Sequence, residues 1–291
     1  MRKPLALAAA CVALALPLAA HAETPFEPRA EGTRIGLSAD VWPAADFTLV
    51  VMGVGAQVGI GKHFAVDVDV PWALGAGSGF SSVLSLNGAD QTRAIFGDVT
   101  LGGHATGKVT ADVSLNGGLS VSIPTRSQAF ASSFAITTLA LGHHAFFDLQ
   151  RFLPGYVGLR MPLGAEARFG RVFYYRGELT PGLYLPTSSG GQGGLVVLEH
   201  ADELEARAPF GFGGGLRFQA AFFLNDPASE ASTGRTGDRA QTALEPFVGY
   251  EPSGSGFYAR LGLLCALDGP AGFGFDKDKL AAVRMQVGGK L

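Results

Sequence analysis

Apolar and polar residues alternate with period two through most of this chain. Between Lys108 and Pro124, the residues Val109, Ala111, Val113, Leu115, Gly117, Leu119, Val121 and Ile123 fall on one face. Thr110, Asp112, Ser114, Asn116, Gly118, Ser120 and Ser122 fall on the other. Alternation sustained that long predicts a strand with one apolar and one polar face. Ordinary strands run about 5 or 6 residues, whereas about 9 to 11 tilted residues cross a bilayer. The pattern recurs. Phe64, Val66, Val68, Val70 and Trp72 alternate with Asp67 and Asp69, and Val157, Leu159, Met161, Leu163, Ala165 and Ala167 with Arg160, Glu166 and Arg168. Phe257, Ala259, Leu261, Leu263, Cys265 and Leu267 alternate with Tyr258, Arg260 and Asp268, and Val283, Met285, Val287, Gly289 and Leu291 with Arg284, Gln286 and Lys290. Charge keeps to one face in each. An Arg facing lipid at the midplane costs about 2 to 4 kcal/mol, so this pattern suits a barrel with a polar lumen and an apolar outside. A soluble sandwich would turn the same faces the other way.

Thirteen segments read as strands: 33–42, 46–60, 62–73, 94–105, 108–124, 133–147, 155–169, 171–185, 195–208, 211–224, 240–251, 256–268 and 279–291. Bacterial single-chain barrels have even strand numbers, so one must go. Segment 195–208 is the weakest, because Glu199, His200, Asp202, Glu203, Glu205 and Arg207 place charge on both faces. The expectation is therefore an all-β, antiparallel, up-and-down transmembrane barrel of about twelve strands, with fourteen the other even count. Polar stretches 74–93, 225–239 and 269–278 then lie on one side of the membrane. Trp42 and Trp72 close the first and third strands, both running outward, so both indoles are expected in an aromatic girdle at the outer interface.

Composition narrows the class. Of 291 residues 47% are apolar and only 16% charged, against a usual charged share of about 25%, which excludes a disordered polar chain. The 42 glycines argue against a coiled coil or helical repeat, since each costs about 1 kcal/mol in a helix. Arg2 and Lys3, the apolar run Leu5 to Leu18 and Ala20-His21-Ala22 form a secretory signal peptide cleaved near Ala22. Residues 23–291 then make one barrel domain, and they contain no apolar run of 18 residues that could be a transmembrane helix. This mature chain carries 20 Lys and Arg against 25 Asp and Glu, a formal charge of −5. It lacks the basic excess that nucleic acid demands. Its single cysteine, Cys265, sits among leucines and alanines as an inert apolar position.

Signal peptide, glycine-rich composition, amphipathic strands and a strand running to the last residue together resemble Gram-negative outer-membrane β-barrel proteins of the channel or transporter type. Phe96-Gly97-Asp98-Val99-Thr100-Leu101-Gly102 and Gly118-Leu119-Ser120-Val121-Ser122-Ile123-Pro124-Thr125 look like strand ends of a twelve-stranded group suggested to pass small organic molecules. The chain departs from such barrels at its end, Leu291, where Phe or Trp is usual. The resemblance implies a place in the Gram-negative cell outer membrane. It also implies outer-membrane lipid, lipopolysaccharide and the barrel-assembly machinery as partners, and a small-molecule solute.

Candidate chemistry is sparse. His143 and His144 are adjacent on an expected strand and so point to opposite faces, where they cannot chelate one metal. His200 and Asp202 share a face but lack a third ligand. Gly53, Gly55, Gly59 and Gly61-Lys62 miss the phosphate-loop spacing at Ala56 and His63. Gly36-Leu37-Ser38-Ala39-Asp40 misses the serine-hydrolase elbow at its last position. No catalytic residue, metal or cofactor is therefore expected, and the chain is not read as an enzyme; a lipid-modifying barrel using Ser122 with His143 or His144 has no spacing to support it. The inventory of inward positions says more. Arg34, Asp67, Asp69, Asp112, Arg160, Glu166, Arg168, Arg217, Arg260 and Arg284 are the candidate lumen-lining residues, joined by Asp268. Their mixed signs suggest internal ion pairs and a narrow, weakly charge-selective pore. The expected function is a passive channel for uptake or efflux of small solutes or hydrophobic compounds. A structural barrel with a sealed lumen and working surface loops is the alternative. A continuous water path past Arg160, Arg217 and Arg260 supports the first, and a closed ladder of ion pairs the second.

Overall fold

A computed structural model describes residues 32–43, 48–77, 91–125, 140, 147–187, 193–225, 240–252, 256–267 and 281–290. Its strands, in chain order, are β1 (Arg34–Pro43), β2 (Thr48–Ile60), β3 (Phe64–Gly77), β4 (Gln91–Phe96), β5 (Val99–Lys108), β6 (Val113–Ile123), β7 (Tyr156–Arg160), β8 (Leu163–Phe169), β9 (Phe173–Pro186), β10 (Leu195–Arg207), β11 (Phe212–Phe223), β12 (Ala240–Tyr250), β13 (Phe257–Ala266) and β14 (Ala281–Lys290). One short helix, α1 (Leu149–Phe152), precedes β7.

Neighbouring positions in the wall pair antiparallel, and β1 pairs with β14, Arg34 opposite Lys290 and Asp40 opposite Arg284. The sheet therefore closes, which leaves no edge to bond elsewhere. Fourteen strands fill twelve wall positions because two positions are broken. β4 and β5 both pair with β3, and between Phe96 opposite Trp72 and Thr100 opposite Asp69 the register gains one residue. That extra residue is a bulge at Gly97-Asp98. β7 and β8 share partners β6 and β9, and are separated by Met161 and Pro162, a residue with no N–H for the ladder. Tight turns close one end, helped by Gly61 (φ 69°) and Gly170 (φ 69°), a backbone geometry that favours glycine. The connections after β3, β11 and β13, expected at 74–93, 225–239 and 269–278, leave from the opposite end; the first is shorter than expected because residues 74–77 and 91–93 belong to β3 and β4.

Alternation sorts the wall as the sequence suggests. On β3, Phe64 and Val66 are 63% and 49% exposed while Ala65 is buried. Outward positions elsewhere carry Leu101, Leu115, Leu119, Leu163, Leu183, Leu216, Val248 and Leu261, all exposed. Exposed leucine and valine at this density form a surface suited to hydrocarbon rather than water.

Two segment assignments need correction. Segment 195–208, the one discounted in the strand count, is a wall strand: β10 pairs along nearly its whole length with β9 and β11. Charge on both of its faces is tolerated because each face finds partners, as described below. Segment 133–147 adds no strand to the wall, since β6 pairs directly with β7 and β8; residues 133–139 and 141–146 lie outside the described residues, and Phe147 and Asp148 form a turn leading into α1. Strand β6 begins at Val113, five residues later than the alternation suggests, because Val109 and Thr110 both donate backbone N–H groups to the Val113 carbonyl in a turn.

Candidate functional site

The bore has two chemically different halves. Towards the end opposite the tight turns, many inward wall positions are small or aliphatic: Leu49, Val51, Ala73, Leu195, Val197, Ala201, Ala221, Ala243, Leu264, Ala266 and Ala282 are all buried, with the polar Thr180, Glu199, Gln219 and Gln241 buried among them. Alanines leave space, and a segment outside the wall fills it. Phe152 packs against Leu49, Val51, Ala73 and Ala140. Phe147 and Leu149 join Tyr184 and the remaining aliphatics, with Trp42, Leu153, Tyr156 and Phe223 at the margin. Gly158 makes room for Tyr184, whose ring carbon would lie 2.8 Å from a Cβ there.

Arg151 ties this inserted segment to the wall through its side chain and its carbonyl. Arg151 is 1% exposed and forks onto Asp69, with Nε–Oδ2 at 2.9 Å and Nη2–Oδ1 at 3.2 Å. Its Nη1 reaches Asp148 at 3.5 Å. Its carbonyl accepts the Asp98 N–H at 2.6 Å, so the inserted segment docks on the bulge. Gly97 is required there: a Cβ would fall 2.8 Å from Pro71 Cγ and 2.9 Å from Phe152 Cε1, besides striking the Arg151 carbonyl.

Towards the tight turns the interior is ionic, and the ions are chained. Arg207 donates to Glu205 at 2.9 Å and to Glu251 at 2.6 Å. Arg176 bridges Glu205 at 3.1 Å and Glu203 at 2.6 Å. Glu203 also takes Arg217 at 2.8 Å and Arg260 at 2.8 Å. Arg284 then joins Glu245 at 3.2 Å to Asp40 at 3.0 and 3.1 Å. Arg217, Glu245 and Arg284 are wholly shielded. Burial of that depth is tolerable only because each charge has an opposite within reach. The chain follows adjacent strands β9 to β14 and β1, along one side of the wall. Facing it, β2, β5, β6 and β8 offer Gly53, Gly102, Ser120 and Gly164 at inward positions.

The expected lumen residues divide accordingly. Arg217, Arg260 and Arg284 belong to the ionic chain, Asp69 holds the inserted segment, and Arg160 is buried against Glu199. Asp67 pairs with His104 at 2.8 Å. Glu166 sits opposite Arg176 on β9, and Arg34 lies at the turn-end mouth. Asp112 and Arg168 lie elsewhere: they pair with each other at 2.9 Å on the exposed turn rim, about half exposed each, because the turn before β6 takes Asp112 out of the wall. Trp72 is on the outward face of β3, opposite Met52 and Phe96. Trp42 departs from expectation; it shares the parity of Ser38 and Asp40 and packs into both interior clusters. Asp268, His143 and His144 lie outside the described residues. The loop-like glycine run lines β2 and its turn, and Ser122 accepts the Gly158 N–H at 3.1 Å. Among the described residues no group of three or more His, Cys, Asp and Glu is placed to hold a metal.

Sequence reasoning missed Asp40, Glu203, Glu245 and Arg151. The first three were legible as inward positions on their strands. Arg151 was not, because a segment folded into the bore carries neither period two nor a useful helical period. A further cluster faces outward. Asp202 accepts from the Tyr175 hydroxyl at 2.5 Å and pairs with His200 Nε2 at 2.7 Å, while His200 Nδ1 lies 3.1 Å from the Glu178 carbonyl.

No family profile and no curated protein matches this sequence. Solved structures do match in fold. The COG4313 outer membrane channel from Pseudomonas putida F1 superposes with a TM-score of 0.62 at 10% identity, covering 93% of this chain and 99% of that one. The NanC porin superposes with a TM-score of 0.51 at 7% identity, covering 88% of this chain and 98% of that one. At such identities the likeness is one of architecture: the chain shares with those two proteins the fold of a closed antiparallel β-barrel, here of twelve wall positions.

Proposed function

We propose that the mature chain, freed of residues 1–22, is an outer-membrane channel for small solutes, shut in this conformation by the segment around α1. The observation that carries this reading is the alanine-lined half of the bore. A barrel built to be solid fills its interior with wall side chains; here Ala73, Ala201, Ala221, Ala243, Ala266 and Ala282 leave a space that Phe147, Leu149 and Phe152 occupy from outside the wall. Removing the segment would open that half. The segment's polar ties to the wall include Asp69 and the bulge at Gly97-Asp98, so changes there bear on the balance between shut and open.

Planar-bilayer recording of the refolded chain tests the reading, with Gly97→Ala and Arg151→Ala beside wild type. Extra bulk at Gly97 costs about 1 to 3 kcal/mol in a packed site, and each 1.4 kcal/mol is tenfold in an equilibrium constant. Wild type is expected to show brief, rare steps, and both variants an open fraction higher by about fivefold or more. A second reading, a permanently sealed barrel, is favoured by the wholly shielded Arg217, Glu245 and Arg284. Folded variants that enter liposomes and stay silent would establish it and end the channel proposal.

A further inference from the structure

We propose that the turn-end mouth of the barrel holds a binding site for a small organic carboxylate with an apolar or aromatic body. A half-open recess of about 80 Å³ lies there, between the ends of β1, β9, β10, β12 and β13. Its charged lining is Arg34, Arg176, Arg207 and Arg260 against Glu205 and Glu251. Four guanidinium groups and two carboxylates thus line the recess, with Glu203 and Glu245 pairing Arg176 and Arg260 from deeper in the bore. Their pairing is unequal. Arg207 is consumed by Glu205 and Glu251, whereas Arg176 hydrogen-bonds Glu203 and Glu205 through Nη1 alone, and Arg260 hydrogen-bonds Glu203 through Nη1 and holds Nη2 at 3.6 Å from Glu245, beyond hydrogen-bond reach.

Donors are left over. The Nε atoms of Arg34, Arg176 and Arg260, and Nη2 of Arg260, are shielded from solvent without a hydrogen-bond acceptor. Arg34 makes no ion pair among the described residues, while the Arg260 side chain is 9% exposed. Buried N–H groups on a cation are costly when unmet, and a carboxylate meets them in the planar, two-point fashion that guanidinium favours. Aromatic surface completes the recess. The Arg260 guanidinium lies 3.4 Å from the Phe247 ring centroid, and Tyr250 and Tyr258 also line the cavity. Such a site selects against a neutral analogue, because the analogue leaves the same donors unmet, and against a bare inorganic anion, which gains nothing from the rings. It rests on the channel reading only for its meaning as a solute's first or last station.

Isothermal titration of the refolded chain in detergent separates the possibilities, with benzoate, benzyl alcohol and inorganic phosphate as probes. Benzoate is expected to bind at least tenfold tighter than either of the others. Arg34→Gln is expected to weaken benzoate at least tenfold while the heat-modifiable band of the folded barrel persists, and Arg34→Lys, which keeps charge but loses the fork, to fall between. Equal affinities for benzoate and benzyl alcohol, or for benzoate and phosphate, would overturn the proposal, as would benzoate binding indifferent to Arg34→Gln. Since no current is measured, the two readings fail separately. A silent barrel that binds benzoate refutes the channel alone, and a conducting barrel that ignores benzoate refutes the site alone.

Discussion

Tyr175, His200 and Asp202 face hydrocarbon, about 10 Å from the turn-end rim for a tilted strand with Asp202 opposite Gly177, four residues beyond Phe173. Three polar side chains in that setting are stable because each spends its hydrogen bonds on the others or on the Glu178 carbonyl. The consequence for substitution is non-additive. Asp202→Ala should cost about 1 to 2 kcal/mol, since it strands the Tyr175 hydroxyl and one His200 nitrogen. Tyr175→Phe, His200→Leu and Asp202→Leu together should cost less than Asp202→Ala alone. Urea unfolding of the barrel in liposomes measures both, and a triple variant worse than the single one would refute the mutual-satisfaction account. The same residues explain why β10 was hard to read. Period two assumes one dry face and one wet face, and His200 and Asp202 break it outward while Glu199, Glu203 and Glu205 obey it inward. Trp42 fails for a related reason. Parity places it inward, and only the general preference of indoles for interfaces argued otherwise.

At the scale of elements, the wall was legible and its contents were not. Strands such as β3, β13 and β14 follow from alternation because lipid on one side and a polar bore on the other impose it on every residue. α1 obeys no such rule. It is four residues long, and its position depends on contacts with Asp69, Gly97 and Asp98, which come from distant stretches of sequence. The ionic chain stands between these cases: its arginines were visible as inward charges, but which glutamate each would meet depends on strand neighbours. Phe152→Ala should remove the ring that fills the space beside Leu49, Val51 and Ala73, at a cost of about 3 to 5 kcal/mol if the site cannot collapse. That loss falls on the docked form of α1 more than on the wall. The expected outcome is therefore faster proteolysis near residues 147–153 in intact, folded barrels, with little change in the urea midpoint of the barrel itself. A collapsed midpoint with unchanged proteolysis would mean that α1 supports the wall rather than stopping the bore.

For the whole molecule, the seam between β1 and β14 decides whether a barrel exists. Arg284 crosses it to reach Asp40, 244 residues away in sequence, while holding Glu245 on β12. Arg284→Ala removes the guanidinium that bridges the buried carboxylates of Asp40 and Glu245, and breaking a buried pair costs about 3 to 5 kcal/mol. Its urea midpoint should fall well below that of Arg168→Ala, which removes only an exposed rim pair worth about 0 to 1 kcal/mol. Equal midpoints would show that the interior ions contribute nothing to cohesion. The pairing of Asp40 with Arg284 also acts as an alignment mark during closure. Two flat, hydrogen-bonding edges can meet in many offsets. An offset of one residue would turn Arg284 out into hydrocarbon, and an offset of two would keep it inside but away from Asp40. Only the native offset neutralises both charges, so the first and last strands made carry between them the information that tells a finished barrel from a misaligned one.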